Sequence, residues 1–257
     1  MGYKRLAWCA LLATFLAVMA LPLSHASYTV THLNVTIMLQ SNTSAQVTEL
    51  LTVEISNNSV SQYQTNRVAL NLTLSEWQEL IGPTLVQHII NPRTSVHNFA
   101  LLPGSVIESN GVSIAYILMG YGVANVTFMN QTAPRTFVYR FNTATFNFEH
   151  GASGELLDPN TTLTVVLPKG AAIDSAYPLP DYPASAFTSG YKNTTTVSWM
   201  YGEPLSKFNL TFTITEGIQT EVVNFFVSIY DVLGAFTYVV IAILVLLFII
   251  YAYIRVR

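Results

Sequence analysis

Residues 33–55 read LNVTIMLQSNTSAQVTELLTVEI. Leu33, Val35, Ile37 and Leu39 alternate with Asn34, Thr36 and Met38, and after Ser41-Asn42-Thr43-Ser44 the alternation resumes through Val47, Glu49, Leu51, Val53 and Ile55. Side chains on a strand point to opposite faces with period two, so each set lines one face, and the short polar break predicts a hairpin. The same rhythm recurs along the chain. Residues 113–119 follow Asn110-Gly111, a pair that favours a tight hairpin turn. Phe137, Tyr139 and Phe141 alternate, then Phe146 and Phe148 do so with shifted parity, which predicts a bulge at 142–145. Leu163, Val165 and Leu167 form a short strand ended by Pro168. Val197 with Trp199, then Phe208, Leu210, Phe212 and Ile214, supply the last two. The expected fold is mainly β, sandwich-like, over residues 27–217, with an optional division into 27–132 and 133–217.

Two stretches depart from this pattern. Ser75 as cap with Gln78 three residues on, and Trp77, Leu80, Ile81, Leu85, Val86, Ile89 and Ile90 at helical spacing, predict a short helical insertion. Gly82-Pro83 should split it into two helices, the second starting at Pro83. Residues 171–192 are rich in Pro, Tyr and Ser and read as an extended surface loop, because Pro178, Pro180 and Pro183 cannot sit in a central strand.

The chain ends carry a different signal. Between Asp231 and Arg255 there is no charged residue. A helix over 232–254 would reach roughly 34 Å, enough to cross a hydrocarbon core of about 30 Å. Phe236 and Tyr238 flank its start, and Tyr251 and Tyr253 its end, where amphipathic rings suit a membrane interface. Arg255 and Arg257 then mark the cytoplasmic end, with 255–257 as the tail. At the other terminus Lys4 and Arg5 precede an apolar run over 6–23, followed by Ser24-His25-Ala26. This reads as a signal peptide, residues 1–26, cleaved after Ala26. An uncleaved signal anchor is the alternative and also leaves the middle of the chain outside.

Composition narrows the chemistry. Cys9 is the only cysteine, and cleavage removes it, so the mature chain has no disulfide, thiolate metal site or cysteine nucleophile. All 14 acidic residues but only seven of the 11 basic ones fall between the ends, a balance of about −7 that disfavours nucleic acid as a partner. Asn34, Asn42, Asn57, Asn71, Asn125, Asn130, Asn160, Asn193 and Asn209 each open an Asn-x-Ser/Thr triplet without Pro, the acceptor motif for N-glycans. On a strand the Asn and the hydroxyl residue two places on share a face, so modified strands should turn that face outward. Glycan acceptors without cysteine fit an archaeal envelope better than a eukaryotic one.

No catalytic signature completes itself. Metalloprotease, nucleophile-elbow, phosphate-loop and EF-hand motifs are absent. Ser189-Gly190-Tyr191-Lys192 matches half of a penicillin-recognising motif and lacks its companions. His32, His88, His97 and His150 show no metal-ligand spacing and read as ordinary structural histidines. Neither cofactor nor metal is expected.

Residues 218–231 read as an interfacial helix. Glu221, Asn224, Ser228 and Asp231 form a narrow polar stripe, while Phe225, Phe226 and Ile229 belong to the apolar remainder. Such a helix must lie in the interface or pack against a partner. These seven residues are the candidate docking site. The function expected is non-enzymatic: a membrane-anchored, N-glycosylated domain outside the cell membrane, in contact with lipid and with other membrane or envelope proteins. A carbohydrate- or peptide-binding surface module is the first alternative, and an extracellular hydrolase the second.

Overall fold

The computed structural model describes residues 27–69, 72–148, 150–151, 154–183, 194–200, 202–217 and 236–256, with isolated positions between 223 and 234. The protein is mainly β. The hairpin expected at 33–55 forms as β1 (Tyr28–Leu39) and β2 (Ala45–Ile55), antiparallel from Tyr28–Ile55 to Leu39–Ala45. β2 continues antiparallel onto β5 (Val112–Val123). The far edge of β5 is shared by β3 (His97–Pro103) and β4 (Ile107–Ser109). Asn110 and Gly111, both at positive φ, make the tight β4–β5 turn expected of that pair.

The other side of β1 takes a partner distant in sequence. β10 (Thr161–Val166) lies parallel to it, and β12 (Thr196–Trp199) closes that edge. Seven strands thus form the first sheet. The second has four, in the order β11 (Ala171–Tyr177), β13 (Asn209–Thr215), β7 (Thr136–Phe141), β6 (Thr127–Ala133). A separate ribbon pairs β8 (His150–Gly151) with β9 (Gly154–Glu155). Cutting the chain at 132–133 would strip β10 and β12 from the sheet they complete.

Both sheets feed one core. Inward residues of β1, β2, β5 and β10 join Tyr139, Phe141, Leu210 and Phe212 of the second sheet. Aromatic rings fill the space between: Trp199 meets Phe208 edge-on at 4.8 Å, and Phe141 stacks on Phe146 at 5.0 Å. Pairs in these geometries contribute about 0.5–1.5 kcal/mol each beyond the area they bury. The buried Trp199 indole N–H donates to the Pro178 carbonyl at 2.8 Å, because an indole donor inside a core needs an acceptor.

Several expectations are corrected. The helix α2 (Leu74–Ile81) is capped by Thr73, not Ser75; Thr73 and Glu76 form the reciprocal capping box. No second helix starts at Pro83. After Gly82, at φ 119°, the chain runs as turns to a bridge between Ile89 and Phe146, so the apolar residues of 85–90 cover the core without helical geometry. A helix α1 (Val60–Val68), absent from the sequence reading, precedes it, holding the core through Tyr63. The parity shift after Phe141 is a 3₁₀ turn, Thr143–Thr145, rather than a bulge. Residues 171–177 of the expected loop are the edge strand β11, whose register slips between Ile173 and Ser175.

At the C-terminus the chain forms helix α3 (Phe236–Val256). No helix among the described residues is long and apolar enough to cross a membrane. The longest unbroken run of α3 with described side chains is 241–249, all exposed, and that is shorter than a bilayer core. The crossing expected at 232–254 is therefore not established by the fold. Residues 1–26, with the expected cleavage site, lie outside the described residues.

Candidate functional site

The buried face of β2 reads Ala45, Val47, Glu49, Leu51, Val53, Ile55. Alternation therefore forces one carboxylate into the core, and Glu49 is 0 % exposed. An isolated buried carboxylate is strongly penalised, so it must be paired and hydrogen-bonded. Three donors converge on it. The His88 backbone N–H donates to Oε1 at 2.8 Å, and the His88 ring, through Nδ1, lies 2.7 Å from Oε2. The Tyr121 hydroxyl also donates to Oε1. Tyr121 in turn accepts from the Ile89 N–H at 3.2 Å. β2 and β5 place Glu49 and Tyr121, and the irregular segment after α2 brings in His88.

The cluster solves two problems at once. The segment 82–91 crosses the core without strand partners for all its amides, and Glu49 and Tyr121 supply acceptors to two of them. Glu49, surrounded by donors, acts as the acceptor, which puts the proton of His88 on Nδ1. Phe148 packs on the imidazole at 5.1 Å.

His88 also lines a cavity of about 110 Å³ with His32, Thr31, Thr84, Asn147, Asp158 and Thr161. Its Nδ1 is committed to Glu49, so Nε2 is the nitrogen left for chemistry there. A carboxylate behind an imidazole fixes its tautomer and stabilises the protonated ring, and the same arrangement orients metal-binding and general-base histidines elsewhere. Here it leaves the other imidazole nitrogen as a hydrogen-bond acceptor. Thr31 directs its hydroxyl to the Thr52 carbonyl at 3.2 Å, and no three His, Cys, Asp or Glu side chains gather for a metal among the described residues.

Burial pushes the Tyr121 phenol well above its ordinary range, and the adjacent Glu49 charge adds to this. Burial likewise holds Tyr63, up to about 12; its hydroxyl donates to the Gly104 carbonyl at 3.1 Å. Unfolded tyrosine titrates near 10. Both folded values are raised, so the stability they contribute is whole below about pH 10 and is lost as pH rises above it, through about 12 for Tyr63. An alkaline titration should therefore show these phenolates appearing together with loss of the sheet signal. Ionisation of Tyr63 or Tyr121 themselves near pH 10 with intact sheets, read residue by residue, would contradict their burial.

The structure places the other candidates as follows. Of the nine acceptor asparagines, Asn71 and Asn193 lie outside the described residues. Asn42, Asn57, Asn125, Asn130 and Asn160 are exposed, and Asn34 and Asn209 are half-buried. Within the docking set, Ser228 and Asp231 are exposed and helical, while Glu221, Asn224, Phe225, Phe226 and Ile229 fall outside the described residues. His32 holds Asn34 at 3.1 Å; His97 lies exposed on β3, its ring over Gly122. Glu49 and Tyr121 were absent from the sequence candidates. The signal available was a single carboxylate at an inward position of an otherwise apolar strand.

No family model matches the chain, and no characterised protein matches it in sequence. Among solved structures, the folded domain of the Mycobacterium tuberculosis protein LppM, determined by NMR, is similar over 72% of this chain and 90% of that one. The identity is 10% and the TM-score 0.24, and a likeness that low says nothing about function.

Proposed function

We propose that this chain is a membrane-anchored, N-glycosylated β-domain held outside the cell membrane, serving as an envelope component or as an accessory subunit of a membrane complex. The observation that carries the reading is α3. Phe236, Tyr238, Ile243, Leu246, Phe248 and Tyr251 fall around the whole helix circumference, and every one is exposed. A helix apolar on all sides belongs in a core or a bilayer, and the β domain's own core is closed without it. The length comes from the sequence: the uncharged run between Asp231 and Arg255 would reach roughly 34 Å as a helix, against a hydrocarbon core of about 30 Å. Arg255 next to the end favours a cytoplasmic C-terminus. The interfacial stretch 218–231 then supplies the surface for a partner in the membrane plane. The reading assigns no catalysis.

A second reading is favoured by the His88 cavity: a module that binds a small molecule through a hydrogen-bond donor. It predicts that His88→Ala or Glu49→Gln weakens uptake of such a ligand by the β domain, whereas the anchor reading requires no ligand.

The orientation is tested with protease on intact cells. The β domain should be digested and a small fragment containing α3 should survive. Complete protection of residues 27–217 would overturn the topology.

A further inference from the structure

We infer that Asn57 and Asn125 accept a glycan only before the chain folds, whereas Asn130 remains an acceptor on the finished protein. The inference rests on the glycosylated reading above. N-glycan transfer joins the Asn side-chain nitrogen to the anomeric carbon of a lipid-phosphate-linked sugar. The bond from that carbon to the phosphate oxygen breaks, the lipid phosphate leaves, and the amide proton passes to a base of the transferring enzyme. The acceptor motif includes the hydroxyl two residues on, so the enzyme must reach both side chains.

At two sites the fold hides that hydroxyl. Asn57 opens a 3₁₀ turn and is exposed, but Ser59 is 0 % exposed. The Ser59 hydroxyl accepts from the Ser27 N–H at 3.1 Å and shares a 2.6 Å hydrogen bond with Ser56. Asn125 is turned out by a left-handed φ of 56°, so it no longer shares a face with Thr127. Thr127 opens β6, is 2 % exposed, and its hydroxyl is buried without a partner. The same-face expectation fails at both sites because neither Asn sits in strand conformation.

Farther along β6 the situation reverses. Asn130, Gln131 and Thr132 are all exposed near the hairpin tip, and β6 is an edge strand of its sheet. The Thr132 hydroxyl makes only a long contact, 3.4 Å, to the Thr136 carbonyl. An occluded motif at the entry to β6 and an open one within it thus lie five residues apart.

The test uses membranes containing an N-oligosaccharyltransferase and its lipid-linked sugar. Two acceptors are compared: the unglycosylated full chain folded in mild detergent, and synthetic peptides covering 54–62 and 122–134, which present the same motifs unfolded. Glycopeptide mass spectrometry should find Asn57, Asn125 and Asn130 modified in the peptides. In the folded chain Asn130 should be modified, with Asn57 and Asn125 reduced by about tenfold or more, since they need local opening first. Equal modification of all three in the folded chain overturns the order of events and leaves the glycosylated reading standing. No modification of any site in peptide or chain overturns both.

Discussion

Glu49→Ala should lower the stability of the β domain by about 3–5 kcal/mol, since three buried donors lose their acceptor at roughly 1–3 kcal/mol apiece. For a domain of this size that is a fall in melting temperature of roughly 6–20 °C. The reason is visible in the geometry. The substitution leaves the His88 N–H, the His88 ring and the Tyr121 hydroxyl without their acceptor, at a position where Glu49 is fully buried. It also opens a void between β2 and β5. Glu49→Gln keeps the volume and one acceptor oxygen, and its cost should be smaller, about 1–3 kcal/mol. His88→Ala removes a donor and leaves Glu49 with two others, so it should fall between these values. Because the three groups share one network, the double variant Glu49→Leu with His88→Leu should cost clearly less than the two single changes added together. Some loss should persist, since the backbone amide of residue 88 still lacks an acceptor. Urea melts monitored by circular dichroism measure all four. If Glu49→Ala shifts the midpoint by less than about 0.5 kcal/mol, the size expected of an ordinary surface change, the carboxylate is not the buried acceptor described.

This cluster shows where sequence reading stops. Period-two alternation located β1, β2, β5, β7, β10, β12 and β13, because each buries one face and exposes the other. β11 escaped since its register slip breaks the alternation, and α1 escaped since it buries little beyond Tyr63. The Gly82-Pro83 break was legible, but the apolar run after it was ambiguous: burial without secondary structure leaves the same residues as a helix face. The pairing of β1 with β10, parallel and more than a hundred residues apart, has no local signature at all. Glu49 was visible as an oddity in its strand. Its partners, 39 and 72 residues away, came only with the fold. The glycan motifs were readable one by one, yet the burial of Ser59 and Thr127 depends on tertiary contacts that a triplet does not encode.

Leu244→Arg combined with Leu247→Arg should release the protein from membranes. Both side chains are exposed in the middle of α3, one turn apart. On an insertion scale, exchanging leucine for arginine near a helix centre costs about 3–4 kcal/mol, so the pair opposes burial by roughly 6–8 kcal/mol. That exceeds what long arginine side chains recover by reaching for the interface, because the two positions lie about two turns or more from either end of the helix. The variant should appear in the soluble extracytoplasmic fraction with the β domain still folded, as the core contains no described side chain of α3. The wild-type chain and a Leu244→Ile, Leu247→Val control should stay in the pellet after alkaline and high-salt washes. A soluble wild-type chain that sediments as a dimer would assign α3 to a second copy of itself, and the anchor reading would fall. Retention of the double arginine variant in the washed pellet would sink it as well, since a bilayer-buried helix does not tolerate two charges at its centre.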